Sequence, residues 1–166
     1  MYNQLSDITK KLPWDTLLQV VIDESVDVTR DMVTAAWAGS DLSAFTDDEA
    51  AAATQGADAV RDALERSSSL IDGYCGRRCE VPFVTVPPFV KALDSDVAVY
   101  NLFSRRENMP DNRQKAYDNA VKTLRDISEG RITLGVPLPG PPAVATGSPE
   151  VVSSGRIFTK DSMKGF

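Results

Sequence analysis

Apolar side chains recur at helical spacing through most of the first 130 residues, then stop. Leu5, Ile8 and Leu12 mark one face of a short first helix, and Pro13 interrupts it. The apolar bias resumes from Trp14 to Ile22. Val28, Met32, Val33, Ala36 and Trp37 fit a further helix that Gly39 ends. Thr46-Asp47-Asp48-Glu49 is a capping box ahead of an alanine run, with three acids facing the positive end of the helix dipole. Val60, Ala63, Leu64, Ser67, Leu70, Ile71 and Tyr74 then form one stripe of 3.6-residue period. Together they predict a long helix over residues 47–75, with Gly56 as the point where it would break.

Pro82, Pro87 and Pro88 forbid a continuing helix and predict an extended connector over 76–88. A helix over 88–105 follows, opened by proline at its first position. Its stripe is Val90, Leu93, Val97 and Tyr100, flanked by Phe89 and Phe103. Asp111 as cap and Gln114 three residues on start another helix over 111–129, striped by Tyr117, Ala120, Val121, Leu124 and Ile127 and ended by Gly130. These last two helices are expected to lie antiparallel and pack on the long one. The predicted core stripe is Leu64, Ile71, Tyr74, Leu93, Val97, Tyr100, Tyr117, Leu124 and Ile127. The fold class is mainly α, a small helical bundle.

After Gly130 the character changes. Five of the ten prolines lie between 137 and 149, and no amphipathic segment can be written there. Apolar anchors return only in Ile157, Phe158, Met163 and Phe166, beside Arg156, Lys160 and Lys164. The expected organisation is a helical domain over 1–130 and an extended proline-rich arm over 131–166 that ends in a docking segment.

At 166 residues the chain fits one domain with a tail. No run of 18 apolar residues exists to cross a membrane, and no signal-peptide core is expected near the start. Charge is unevenly spread. Net −6 overall, the chain carries 5 basic and 13 acidic residues over 1–70, balanced charge over 71–130, and 4 basic against 2 acidic over 131–166. An acidic body disfavours sequence-reading DNA binding, and the polarity suits head-to-tail contact between copies.

Histidine is absent, which removes histidine acid–base chemistry, triads and histidine metal sites. Cys75 and Cys79 cannot close a four-ligand zinc site alone and read as two reduced thiols of an intracellular protein. No phosphate-binding glycine motif, CxxC, HExxH or GxSxG occurs. No catalytic residue, cofactor or metal is assigned, and the protein is not expected to be an enzyme. Asp94 and Asp96 should point to different helix faces. Asp23, Asp27 and Asp31, four apart, would form an acidic ridge on a helix, read as a solvated face. Ser67-Ser68-Ser69 has no recognisable base partner, and Ser67 reads as a small residue where helices approach closely. The doubled cations Arg77-Arg78 and Arg105-Arg106 each follow a helix end, where the dipole favours them; they are candidate intersubunit charge contacts.

Four stretches resemble the Mu-like prophage gp36 family of phage head–tail connector proteins. Residues 63–74 run into Ile71-Asp72-Gly73-Tyr74; residues 77–88 resemble the family's basic turn and proline connector; residues 96–106 end in Arg105-Arg106; and residues 113–134 carry Arg113, Tyr117, Ala120, Leu124, Ile127, Gly130 and Leu134 at the family's spacing. The ending over 156–166 is similar too. The resemblance implies a fold of the tailed-phage head–tail adaptor type and a role in assembly. It implies a homo-oligomeric ring, most often of twelve copies, under the portal protein at the virion's head–tail junction. Such a ring is assembled in the host cytoplasm, surrounds the DNA channel and presents a surface to a downstream stopper or tail-terminator. In that frame Ile157, Phe158, Met163 and Phe166 are candidate portal or neighbour anchors. Two alternatives stand beside it: a tail terminator or head-completion stopper, typically richer in strands, and a small helical DNA-binding regulatory module.

Overall fold

A computed structural model describes residues 1–22, 26–106 and 109–136. Six helices follow in order: α1 (Leu5–Lys11), α2 (Trp14–Val21), α3 (Arg30–Ala38), α4 (Asp47–Cys75), α5 (Pro88–Phe103) and α6 (Asp111–Ser128). The described residues form an all-α bundle. Local chemistry sets the boundaries. Pro13 ends the first run and opens α2. Gly39 adopts a left-handed φ of 67°, and the amides of Gly39 and Ser40 return to the Ala36 and Ala35 carbonyls to close α3. At the head of α4 the Thr46 amide donates to Glu49 Oε2 at 2.9 Å, and the Glu49 amide donates back to Thr46 Oγ1 at 3.4 Å. Pro88 occupies the first turn of α5. Gly130, at φ 81°, follows the end of α6.

Helix α4 is the spine. At 29 residues it is about 43 Å long by the 1.5 Å helical rise. It does not break at Gly56. A Cβ there would lie 2.8 Å from Ile22 Cδ1 and 3.3 Å from Val21 Cγ2, so the missing side chain is what lets the end of α2 close on the spine. Helix α5 runs antiparallel to α4. Ser67 meets Asp94, and one turn back along α4 the Ala63 carbonyl accepts from Asn101 Nδ2 at 3.3 Å. Helix α6 packs on both, and the Tyr100 and Tyr117 rings stack 3.9 Å apart across the α5–α6 seam.

Three apolar clusters line the spine. One gathers Val28, Met32 and Val33 on Ala52, Ala53 and Ala57 at the α4 N-terminal end. A central one joins Val60 and Leu64 to α5 and to Leu5, Ile8, Leu12, Leu17, Val20 and Val21. The third joins Ile71 and Cys75 to Val90, Leu93, Val97, Leu124 and Ile127, with Cys79 and Phe83 from the connector. Leu64, Ile71, Leu93, Val97, Leu124 and Ile127 are buried, while Tyr74, Tyr100 and Tyr117 are half-buried.

Several expectations need correction. The core takes more than the stripe predicted on α4, α5 and α6: α1 and α2 fill its centre. Asp111 is the first residue of α6 rather than its cap, and the cap position falls to Pro110. Gln114 spends its amide on Asp118 instead of reaching back. Helix α5 ends at Phe103, two residues early. Asp27 and Asp31 share no helical ridge: Asp27 precedes α3 and Asp31 lies within it, while Asp23 is outside the described residues. The proline-rich arm beyond residue 136 also lies outside the described residues.

Candidate functional site

The doubled arginines divide by what they touch. Arg106 Nε donates to the Val20 carbonyl at 3.1 Å, and its Nη2 donates to the carbonyls of Gln19 at 3.0 Å and Ile22 at 2.5 Å. These are orphan acceptors at the C-terminus of α2, where a cation also meets the negative end of the dipole. Arg78 Nη2 donates to the Glu129 carbonyl at 3.3 Å, beyond the last turn of α6, and its guanidinium lies against Gly130. Sequence reasoning placed each cation at the end of its own helix. The structure shows Arg78 and Arg106 capping helices distant in sequence, so much of their charge is committed within the chain. Arg77 is exposed at the turn after α4. Arg105 is exposed and borders an open polar cleft of about 240 Å³ with Asp58, Asp62, Arg66 and Asn101.

The connector over 76–87 carries the most exposed large apolar side chain among the described residues, Val84. Cys79 and Phe83 anchor it in the core, which turns Val84 outward to full exposure. Phe89, at the start of α5, is 47% exposed. A shallow apolar depression of about 280 Å³ runs between Pro82, Phe83, Val84 and Val136. Arg77 shares this end of the spine. The opposite end, some 43 Å away by helical rise, carries exposed Asp41, Asp47 and Asp48 and half-buried Glu49 around the α4 cap. The terminal anchors Ile157, Phe158, Met163 and Phe166 lie outside the described residues.

Sequence reasoning missed a buried polar cluster. Asp94 is completely buried, and its Oδ1 lies 2.5 Å from Ser67 Oγ and 3.3 Å from Ser68 Oγ. The serine run therefore does face a carboxyl group, and Ser67 is more than a small spacer. The N-terminal residues lie over this cluster. The Tyr2 amide donates to Ser68 Oγ at 3.0 Å, and Asn3 Nδ2 donates to the Lys91 carbonyl at 2.7 Å and to Ser95 Oγ at 2.9 Å. The Tyr2 hydroxyl donates to Asp72 and accepts from the Phe83 amide at 3.3 Å. Burial pushes the Asp94 carboxyl above its ordinary value, against the partial relief of the serine hydroxyls. A legible signal existed: Asp94 falls between Leu93 and Val97 on the apolar side of its helix, opposite a helix that offers serines.

This cluster is no catalytic dyad. It has no histidine, no open cavity at the carboxylate and no second titrating partner in hydrogen-bond reach. Among the described residues no group of three or more Cys, Asp or Glu side chains is placed to hold a metal ion. Cys75 and Cys79 are free thiols, both buried, and burial pushes Cys75 up to about 11. None of the described helices is long and apolar enough to cross a membrane.

Comparison with known proteins places this helical chain in a family. The Mu-like prophage FluMu protein gp36 of Haemophilus influenzae (strain ATCC 51907 / DSM 11121 / KW20 / Rd) is 27% identical over 107 residues, covering 64% of this chain and 74% of that protein. The family described as "Bacteriophage Mu, Gp36" matches residues 2–153. With nearly the whole chain matched, this protein belongs to the bacteriophage Mu Gp36 family.

Proposed function

We propose that this protein is a structural subunit of the phage neck: a head–tail connector that assembles into a ring beneath the portal, extends the DNA channel and presents a docking surface to the next neck or tail component. The observation that carries the reading is the family match over residues 2–153. The connector role itself is what the family resemblance implies. The all-α bundle supports an adaptor over a strand-rich terminator or stopper. The uneven charge supports head-to-tail contact between copies, each using two different faces.

In this reading one face is the connector end, with Arg77, Val84 and Phe89. The other is the acidic end around Asp47 and Asp48. Arg105 lies toward a neighbour in the same way, while Arg78 and Arg106 support the interface indirectly by fixing helix ends. The arm over 131–166 starts on the bundle, where Ile132, Leu134 and Val136 pack, and goes on to the portal or an adjacent subunit, where Ile157, Phe158, Met163 and Phe166 bury. The rest of the acidic 1–70 region faces the channel and lets DNA pass without sticking.

Sedimentation of the full chain alone and with purified portal rings tests this. The expected result is co-sedimentation with the portal as a stoichiometric ring, lost in Val84→Asp and Arg77→Glu while their circular dichroism stays that of wild type. A chain that ignores the portal at every concentration, or variants that bind it as well as wild type, would overturn the reading or its assigned face, respectively.

A further inference from the structure

We propose that Asp94 is a neutral carboxylic acid in the folded protein, carrying its proton on Oδ1, and that this proton locks the N-terminal strap over residues 1–4 onto α4 and α5. The inference is independent of the connector role.

A count of protons carries it. Ser67 Oγ has one hydrogen and lies within bonding distance of two acceptors, the Leu64 carbonyl at 2.9 Å and Asp94 Oδ1 at 2.5 Å. Both contacts are satisfied together only if Asp94 supplies a proton: Asp94 Oδ1–H donates to Ser67 Oγ, whose own hydrogen goes to Leu64. Ser68 Oγ already accepts from the Tyr2 amide, and Ser95 Oγ is engaged with Asn3 and the Lys91 carbonyl. Ser95 has given its hydrogen to Lys91, and Ser68, which keeps its own, reaches Asp94 Oδ1 only at 3.3 Å. Asp94 Oδ2 makes no hydrogen bond, and the Asn3 side chain gives the carboxyl only minor relief. An ionised carboxylate would leave that oxygen bare in a sealed, apolar setting, the costly form of burial.

The charges around the site do not rescue the anion. On the strap, the Met1 ammonium favours ionisation, and burial outweighs it. On α4, Asp72 is occupied by the Tyr2 hydroxyl. On α5, Lys91 contributes its carbonyl to Asn3, and Asp96 pairs with Lys11 of α1 at 2.6 Å. Among the described residues no ion pair reaches Asp94. The strap forms the lid of this chamber, since Tyr2 and Asn3 are buried directly over Ser68 and Ser95. Ionisation of Asp94 therefore favours lifting of the strap, which admits water. The folded protein holds the proton more tightly than the unfolded chain. The stabilisation is therefore complete below the ordinary value of 3.8 and is lost as pH rises through the folded-state value.

Carboxyl-carbon NMR of the full chain reads the proton directly. Asp94 should keep the shift of a protonated acid well above the pH at which the exposed aspartates have ionised. Titration together with those aspartates would overturn the proposal. Ser67→Ala decides the direction of the bond. If Asp94 is the donor, losing the acceptor lowers its midpoint; a raised midpoint would mean that Ser67 donates to a carboxylate, and would refute it. Hydrogen exchange at the Tyr2 amide, corrected for intrinsic rate, tests the lock. Protection should fall as Asp94 ionises in wild type and stay flat in Asp94→Asn. A high Asp94 midpoint with strap protection that ignores it would overturn the lock. The wild-type and Ser67→Ala readings stand should Asp94→Asn fail to fold.

Discussion

Replacing Arg106 with alanine separates a helix-capping cation from an intersubunit one. The guanidinium serves three carbonyls at the end of α2 from a position just past α5, and so ties the first third of the chain to the spine's partner helix. Hydrogen bonds to a charged donor are worth about 1.5–3 kcal/mol each in mutational series. Three bonds from one side chain do not add, and Gln19 is exposed, so water can replace its lost donor. The net loss should be about 2–3 kcal/mol, or roughly 4–12 °C in Tm for a chain of this length. Thermal melting of the isolated protein by circular dichroism measures it. Arg106→Lys should fall between the two, because an ammonium cannot spread over three acceptors as a planar fork does. Arg77→Ala, at an exposed turn, should stay within about 0.5 kcal/mol of wild type. An Arg106→Ala protein that melts with wild type would refute the capping role and return Arg106 to the set of interface residues.

Other outcomes follow from the same contacts. Leu64→Ala empties a fully buried site at the centre of the spine and should cost about 2–5 kcal/mol in denaturant unfolding. Cys75 should resist thiol reagents near neutral pH until the protein unfolds, because it is buried and its thiol titrates near 11; rapid native labelling would contradict that. The Thr46 amide, with the Thr46 hydroxyl, holds the Glu49 carboxyl below its ordinary 4.5. Its contribution is therefore present above that value and lost as pH falls through the lowered one. The Tm gap between wild type and Thr46→Ala should narrow in acid over that window.

The helices were legible because stripes and caps agree. The Thr46 box, Pro88 at the first turn, and Gly39 and Gly130 in left-handed backbone each place a boundary that the apolar period alone leaves loose. What periodicity cannot tell is which stripe faces which. The stripes of the short N-terminal helices do not say where they dock, yet Gly56 leaves a gap on α4 and the end of α2 fills it. The arginine pairs were recognised as helix-end cations, but the helices they cap, α2 and α6, are set by tertiary packing. Asp94 was separated from Asp96 by helix face, but its partners escaped notice for a related reason: the opposing serines and the strap come over it only in the tertiary structure.

Electron microscopy of necks from particles of the phage that encodes this chain tests the central claim most directly. The account predicts a closed ring of this all-α subunit beneath the portal, with the Val84 end of each copy against the acidic end of its neighbour. A neck in which this chain is absent, or sits away from the portal as isolated copies, would contradict it.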